Sequence, residues 1–183
     1  MGAAILTVVL AFTGYAGTYL NNLRLAQRAE RLARVNRQLA ELYGPLLALT
    51  EANSRLYAAF TERHPRADGR SPLQHGPDAE PLTEQEAAEW HRWLTAVFLP
   101  NHRAVREILT TKADLLCEQS MPPVLLEVYT HAAWDEIHAE GPDGRVEPPP
   151  SPFPASAVRA YARERFDALK REQARLLGRR RRP

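Results

Sequence analysis

The stretch THAAWDEIHAE places His131, Asp135 and His138 at intervals of four and three residues. On a helix this spacing sets the three side chains on one face, and Glu127 stands one turn earlier. Imidazoles and carboxylates grouped in this way are ligands for zinc or iron. A di-iron bundle would also need a Glu-x-x-His pair from another helix, and the sequence contains none. The same residues serve equally well as a polar helix face in which a histidine is bonded to a neighbouring carboxylate. The sequence therefore assigns no metal and no cofactor, and His131, Asp135 and His138 are its weak metal candidate.

The other chemistry-bearing types point away from catalysis. His102 follows Pro100-Asn101 at a helix junction, but no nucleophile is evident for it to activate. No glycine-rich phosphate loop and no nucleophile-elbow pattern occurs. With one cysteine, Cys117, neither a Cys-x-x-Cys pair nor an internal disulfide is possible. Cys117 follows Leu115 and Leu116 near a helix end, which predicts half-buried packing. Trp90, Trp93 and Trp134 read as core filler of a helical bundle. The expectation is a binding protein and not an enzyme; the alternative is a metal-dependent sensor or enzyme that uses His131, Asp135 and His138. Asn101, His102, Arg103 and Arg106, beside the Pro100 break, form the expected contact surface for a partner.

The elements that must position these residues begin with a run of eighteen uncharged residues, 3–20. At about 1.5 Å per residue such a helix rises roughly 27 Å, close to the hydrocarbon thickness of a bilayer. A secretory signal needs a basic start, and only Met1 and Gly2 precede the run. A cleavage point after Ala16 is the alternative, and a helix of a soluble protein is another. The run is followed by Arg24, Arg28, Arg31, Arg34 and Arg37, opposed nearby only by Glu30. Arginines flanking a span hold that side in the cytoplasm. The expectation is thus a single-pass inner-membrane protein with its N-terminus outside and its C-terminal domain cytoplasmic. Among 24 basic residues only Lys112 and Lys170 are lysines, a composition that suits a GC-rich bacterial source.

Beyond the run the pattern is helical. Leu25, Leu32, Leu39 and Leu46 recur every seven residues, and Val35, Leu42, Leu49 and Leu56 follow three later, with Phe60 last. Such a stripe fits a dimeric coiled coil or a helix packed within its own domain. The residues flanking it beyond Leu39 favour the second, and residues 21–40 read as a solvated, arginine-rich stalk. Gly44-Pro45 predicts a kink or a break, and Pro100-Asn101 an interruption. Thr83 and Glu86 form a capping box. Ser120 to Pro123 start a further helix, and a last one runs from about Ala155 to Leu177 before Gly178. Residues 64–82 and 141–154, rich in proline and glycine, read as exposed loops. The chain ends in Arg179, Arg180, Arg181 and Arg182, a basic tag suited to anionic lipid rather than nucleic acid.

The blocks ELYGPLLALTEANSRLYAAF, FLPNHRAVREILTTKADLL, MPPVLLEVYTHAAWDEI and LKREQARLLG resemble those of a family of small, uncharacterised bacterial proteins with one N-terminal span. The resemblance implies a membrane-tethered helical domain. It implies no activity and no site residue. The expected layout is all-α: a transmembrane helix over 3–20, a stalk over 21–40, a long kinked amphipathic helix within a helical cytoplasmic domain over 41–178, and a basic tail over 179–183. The expected partners are the bilayer, a protein and a second copy of the chain.

Overall fold

A computed structural model describes residues 2–73, 80–138 and 153–178, with side chains except those of residues 2–9, 11, 137 and 138. The described chain is helical and contains no strand, as four continuous rods. The first joins α1 (Gly2–Arg37), a π-helical segment (Gln38–Tyr43) and α2 (Gly44–Arg63). The second joins α3 (Glu84–Trp93), a π segment (Leu94–Phe98) and α4 (Leu99–Thr111). A 3₁₀ turn (Ala113–Leu115) leads to α5 (Pro123–His138), and α6 (Ala155–Leu176) completes the bundle.

Neither proline breaks its helix. A proline in a regular α-helix lacks one donor, and its ring collides with the carbonyl four residues back. Here each proline directly follows a wider π turn. The N–H of Gly44 donates to the carbonyl of Leu39 just before Pro45, and the N–H of Leu99 donates to that of Leu94 just before Pro100. These bonds span five residues instead of four and carry the rod past the obstacle. Gly44 is required by this geometry. A Cβ at that position would lie 2.4 Å from the Leu39 carbonyl oxygen. The kink or split expected at Gly44-Pro45 and the interruption expected at Pro100-Asn101 are thus both replaced by π turns.

The core forms at the first π turn. Leu42, Tyr43 and Leu46 are fully buried, and Val35, Leu39, Val105, Leu109, Leu115, Leu125, Val128, Val158, Ala162 and Leu169 close around them. Removing each such leucine from water contributes about 2–3 kcal/mol. Beyond the π turn the first heptad row stays buried, through Leu46, Asn53 and Phe60, while the second row departs from the seam. Thr50 and Asn53 are buried, while Leu49 and Leu56 are only half-buried. Thr50 satisfies its hydroxyl on the Leu46 carbonyl at 2.9 Å. Tyr43, which the heptad left on a flank, lies at the centre.

A second, aromatic cluster joins α2 to α3: Phe60 lies 5.0 Å from Trp90 and 5.6 Å from Trp93, and Trp90 lies 5.1 Å from Phe98. Below it a polar clasp ties part of the 64–82 segment down. Arg66 grips Glu86 through both guanidinium nitrogens, at 2.9 and 3.0 Å. Glu86 also completes the Thr83 capping box. His64 and Arg63 reach Glu89 at 3.3 and 3.4 Å, and Pro72 is buried. The first part of this segment is therefore anchored where open loop was expected. Residues 74–79 lie outside the described chain, as do residues 139–152 of the other expected loop.

Residues 21–40 are not a free stalk either. The end of α6 returns against them: the Nε–H of Arg28 donates to the Leu176 carbonyl at 2.7 Å, and Gln173 donates to Asn36 at 2.7 Å. The first half of α1 is different. Leu10, Phe12, Tyr15, Tyr19 and Leu20 are all exposed. Among the described residues no helix is long and apolar enough to cross a membrane.

Two predictions follow from this architecture. Gly44→Ala forces a Cβ onto the Leu39 carbonyl and should cost about 1–3 kcal/mol of unfolding free energy, whereas Pro45→Ala should cost less than about 1 kcal/mol; denaturant titration of both variants compares them. The Arg66 hydrogen bonds, followed by the Thr83 N–H, lower the Glu86 carboxyl from 4.5 to about 2. A depressed acid contributes stability that is complete above its unfolded value and is lost as pH falls toward the folded one. The melting temperature should therefore drop between about pH 4.5 and 2, and Glu86→Gln should flatten that part of the profile.

Candidate functional site

The polar residues singled out from the sequence meet where α4 crosses α5. The π turn before Pro100 turns His102 inward, where it is 7% exposed. Its Nδ1–H donates to Oδ2 of Asp135 at 2.7 Å, since a carboxylate is the acceptor in such a pair. The other carboxylate oxygen of Asp135, itself 8% exposed, lies 3.5 Å from Nε2 of His131. Phe153, the first described residue of the segment leading into α6, stacks on His102 at 4.8 Å and meets His131 edge-on at 5.0 Å. The result is a carboxylate between two imidazoles, capped by a phenyl ring.

An aspartate that holds a histidine through Nδ1 is the orienting half of many acid–base sites. Here the arrangement works as a lock between helices. Phe153 covers the face of His102, and among the described residues no hydroxyl or thiol is hydrogen-bonded to His102. The candidate metal set is only partly assembled. Asp135 and His131 face each other, and Asp135 makes its short bond to His102. The side chain of His138 lies outside the described residues. Among the described residues no group of three or more His, Cys, Asp or Glu is arranged to hold a metal ion.

The expected partner surface at Asn101, His102, Arg103 and Arg106 is largely turned to internal use. Asn101 donates to Asn53 on α2 at 2.6 Å, and His102 is buried. Arg103 pairs with Glu136 at 3.3 Å, and Arg106 pairs with the same carboxylate. Proximity to a proline suggested exposure; Arg103 is exposed, Asn101 and Arg106 are half-buried, and His102 is turned inward by the intact helix.

A second buried polar cluster, which the sequence reading missed, sits against the first π turn. The Tyr43 hydroxyl accepts the Cys117 N–H at 3.0 Å and lies 3.4 Å from both Glu118 and the Tyr161 hydroxyl. Tyr161 donates to Glu118 at 3.0 Å, and Arg165 closes the set with a 2.6 Å bond to the same carboxylate. Burial pushes the Tyr161 hydroxyl up to about 12, helped by the adjacent Glu118. Burial and then the Tyr161 hydroxyl drive Tyr43 upward as well. Both phenols stay protonated and serve as fixed hydrogen-bonding posts. Cys117 is exposed, not half-buried as its leucine neighbours suggested, although its sulfur accepts from the buried Gln38 amide at 3.6 Å.

The five stalk arginines gather at an open groove of about 770 Å³ between α1, the Ala113–Leu115 turn and the end of α6. Arg24, Arg28, Arg31, Arg34 and Arg37 line it together with Glu30 and Asp114. Arg37 lies 3.7 Å from Asp114, and Arg34 donates to the Asp114 carbonyl at 3.4 Å. Arg179 to Arg182 lie outside the described residues, but Gly178, from which they continue, is beside Arg28: a Cβ there would stand 3.5 Å from Arg28 Nη2.

The chain matches no known protein family, no curated protein and no solved structure. The lock between α4 and α5 makes its own prediction. Asp135→Ala leaves His102 without its buried acceptor and should cost about 2–3 kcal/mol of stability, read by chemical denaturation.

Proposed function

We propose that the chain is a membrane-anchored, single-pass interaction module that holds a helical bundle at the cytoplasmic face to recruit or scaffold a protein partner. The observation that supports this reading most is the change of character along α1. Its first half carries Leu10, Phe12, Tyr15, Tyr19 and Leu20 exposed, while its second half carries the arginines and the start of the core. An apolar helix left uncovered by its own domain needs another apolar medium, and a bilayer is the one that an uncharged run of eighteen residues fits. The arginines that follow suit the cytoplasmic flank of such a span. The resemblance of the four blocks to those of small bacterial proteins with one N-terminal span agrees with this reading.

The bundle itself offers recognition rather than reaction. Its buried His102, Asp135 and Asn53 are bonded across helices, and its exposed Tyr57, Leu126 and Tyr129 leave apolar points on the outside for a partner.

The test is fractionation of the full chain. It should stay with membranes after alkaline carbonate, be released by detergent, and keep residue 17 and its N-terminal neighbours when the intact mass is measured. A C-terminal alkaline phosphatase fusion should be inactive and a C-terminal fluorescent fusion bright. Recovery in the carbonate supernatant would overturn the anchor. A mass corresponding to cleavage after Ala16 would replace it with export.

A further inference from the structure

We propose that the arginine-lined groove between α1, the Ala113–Leu115 turn and the end of α6 binds a phosphate-bearing anion at the membrane surface. This deepens the anchored-module reading and rests on it for the source of the ligand, though not for the chemistry of the site.

The groove is built by the fold and is more than a charged stretch of helix. Docking of α6 closes one side, through Arg28 on the Leu176 carbonyl and Gln173 on Asn36. The Asp114 turn closes the other, held by Arg34 and Arg37. Five guanidinium groups face two carboxylates, Glu30 and Asp114, around the opening. Asp114 engages Arg37, and Arg28 is spent on α6. Among the described residues Arg24 and Arg31 have no anionic partner. They stand seven residues apart on one helix, so their side chains point the same way, with Arg28 between them.

Guanidinium groups arranged in this way match phosphate oxygens, which they can bind in a forked, two-bond geometry. The position fits the ligand's source. Arg24 begins four residues past Leu20, about 6 Å along the helix, which is the headgroup layer if residues 3–20 span the hydrocarbon.

The full chain in neutral detergent is titrated with inorganic pyrophosphate, and separately floated with vesicles of phosphatidylcholine alone or with 30% phosphatidylglycerol, as a wild type and as Arg24→Gln/Arg31→Gln. Neither substituted side chain makes a described intramolecular bond, so the variant's thermal unfolding should match that of the wild type. Arg24→Lys/Arg31→Lys, which keeps the charge, should keep most of the binding. The expected result is binding of pyrophosphate, and tighter association with the anionic vesicles, each weakened about 30-fold in the glutamine variant and each falling as salt rises. If the chain binds pyrophosphate through these arginines but floats with neither vesicle, the groove stands, its ligand is a soluble anion, and the anchor fails. If the chain floats equally with both vesicles and binds pyrophosphate no better than the variant, the anchor stands and the groove proposal is overturned. Tighter binding to duplex DNA than to either phosphate probe, undiminished in the variant, would likewise overturn it.

Discussion

The hydrogen bond from the Gly44 N–H to the Leu39 carbonyl is the contact on which the rest of the molecule depends. It lets one helix pass a proline without stopping; α4 and α6 pack against the stretch it preserves, and α5 packs on those two. Three of the four fully buried large residues of this rod, Leu42, Tyr43 and Leu46, lie within or next to that turn. A helix broken at Pro45 would point Leu46 and Phe60 elsewhere and would leave α6 and α4 without a common surface. The same solution recurs before Pro100, where it sets His102 and Asn101 inward. Glycine serves at the first site because the widened turn brings a carbonyl into the space a side chain would fill. Leu99 is tolerated at the second.

Apolar burial alone does not hold these rods in register. Four-helix packing leaves freedom to slide and rotate, and the bundle restricts it with polar bonds at each crossing. His102 and Asp135 tie α4 to α5, Arg66 and Glu86 tie the end of α2 to the start of α3, and Tyr43, Glu118, Tyr161 and Arg165 tie α2's approach to the 3₁₀ turn and α6. Bonds of this kind are directional and costly to leave unmade when buried. They select one arrangement among several that would bury similar apolar area.

Much of the helix inventory was legible in the sequence. The Thr83–Glu86 cap, the Pro122-Pro123 start of α5 and the Gly178 stop depend on local chemistry, and each falls where residue types place it. What was not legible depends on a change of helical period. Proline was read as a breaker because the regular α-helix cannot accept it, and nothing local announces that five-residue bonds will take over. Once the period shifts, the second predicted row shifts too, so Thr50 is buried while Leu49 and Leu56 are only partly so. The candidate site was half legible for the same reason. The spacing of His131 and Asp135 on one face is local and holds. The choice of His102 as the short-bond partner, thirty-three residues away, is tertiary. The gathering of the stalk arginines around a groove likewise needed the return of α6, which no pattern in residues 21–40 encodes.

The unbroken course of the first rod, from Gly2 to Arg63, has a mechanical consequence. Sixty-two residues at about 1.5 Å each make a shaft of roughly 90 Å, and its one π turn and its proline provide no swivel. Torque or tilt applied at the apolar end is delivered to the bundle instead of being dissipated at a joint. The domain is thereby geared to the orientation of its own N-terminal segment, as a lever arm is to its axle.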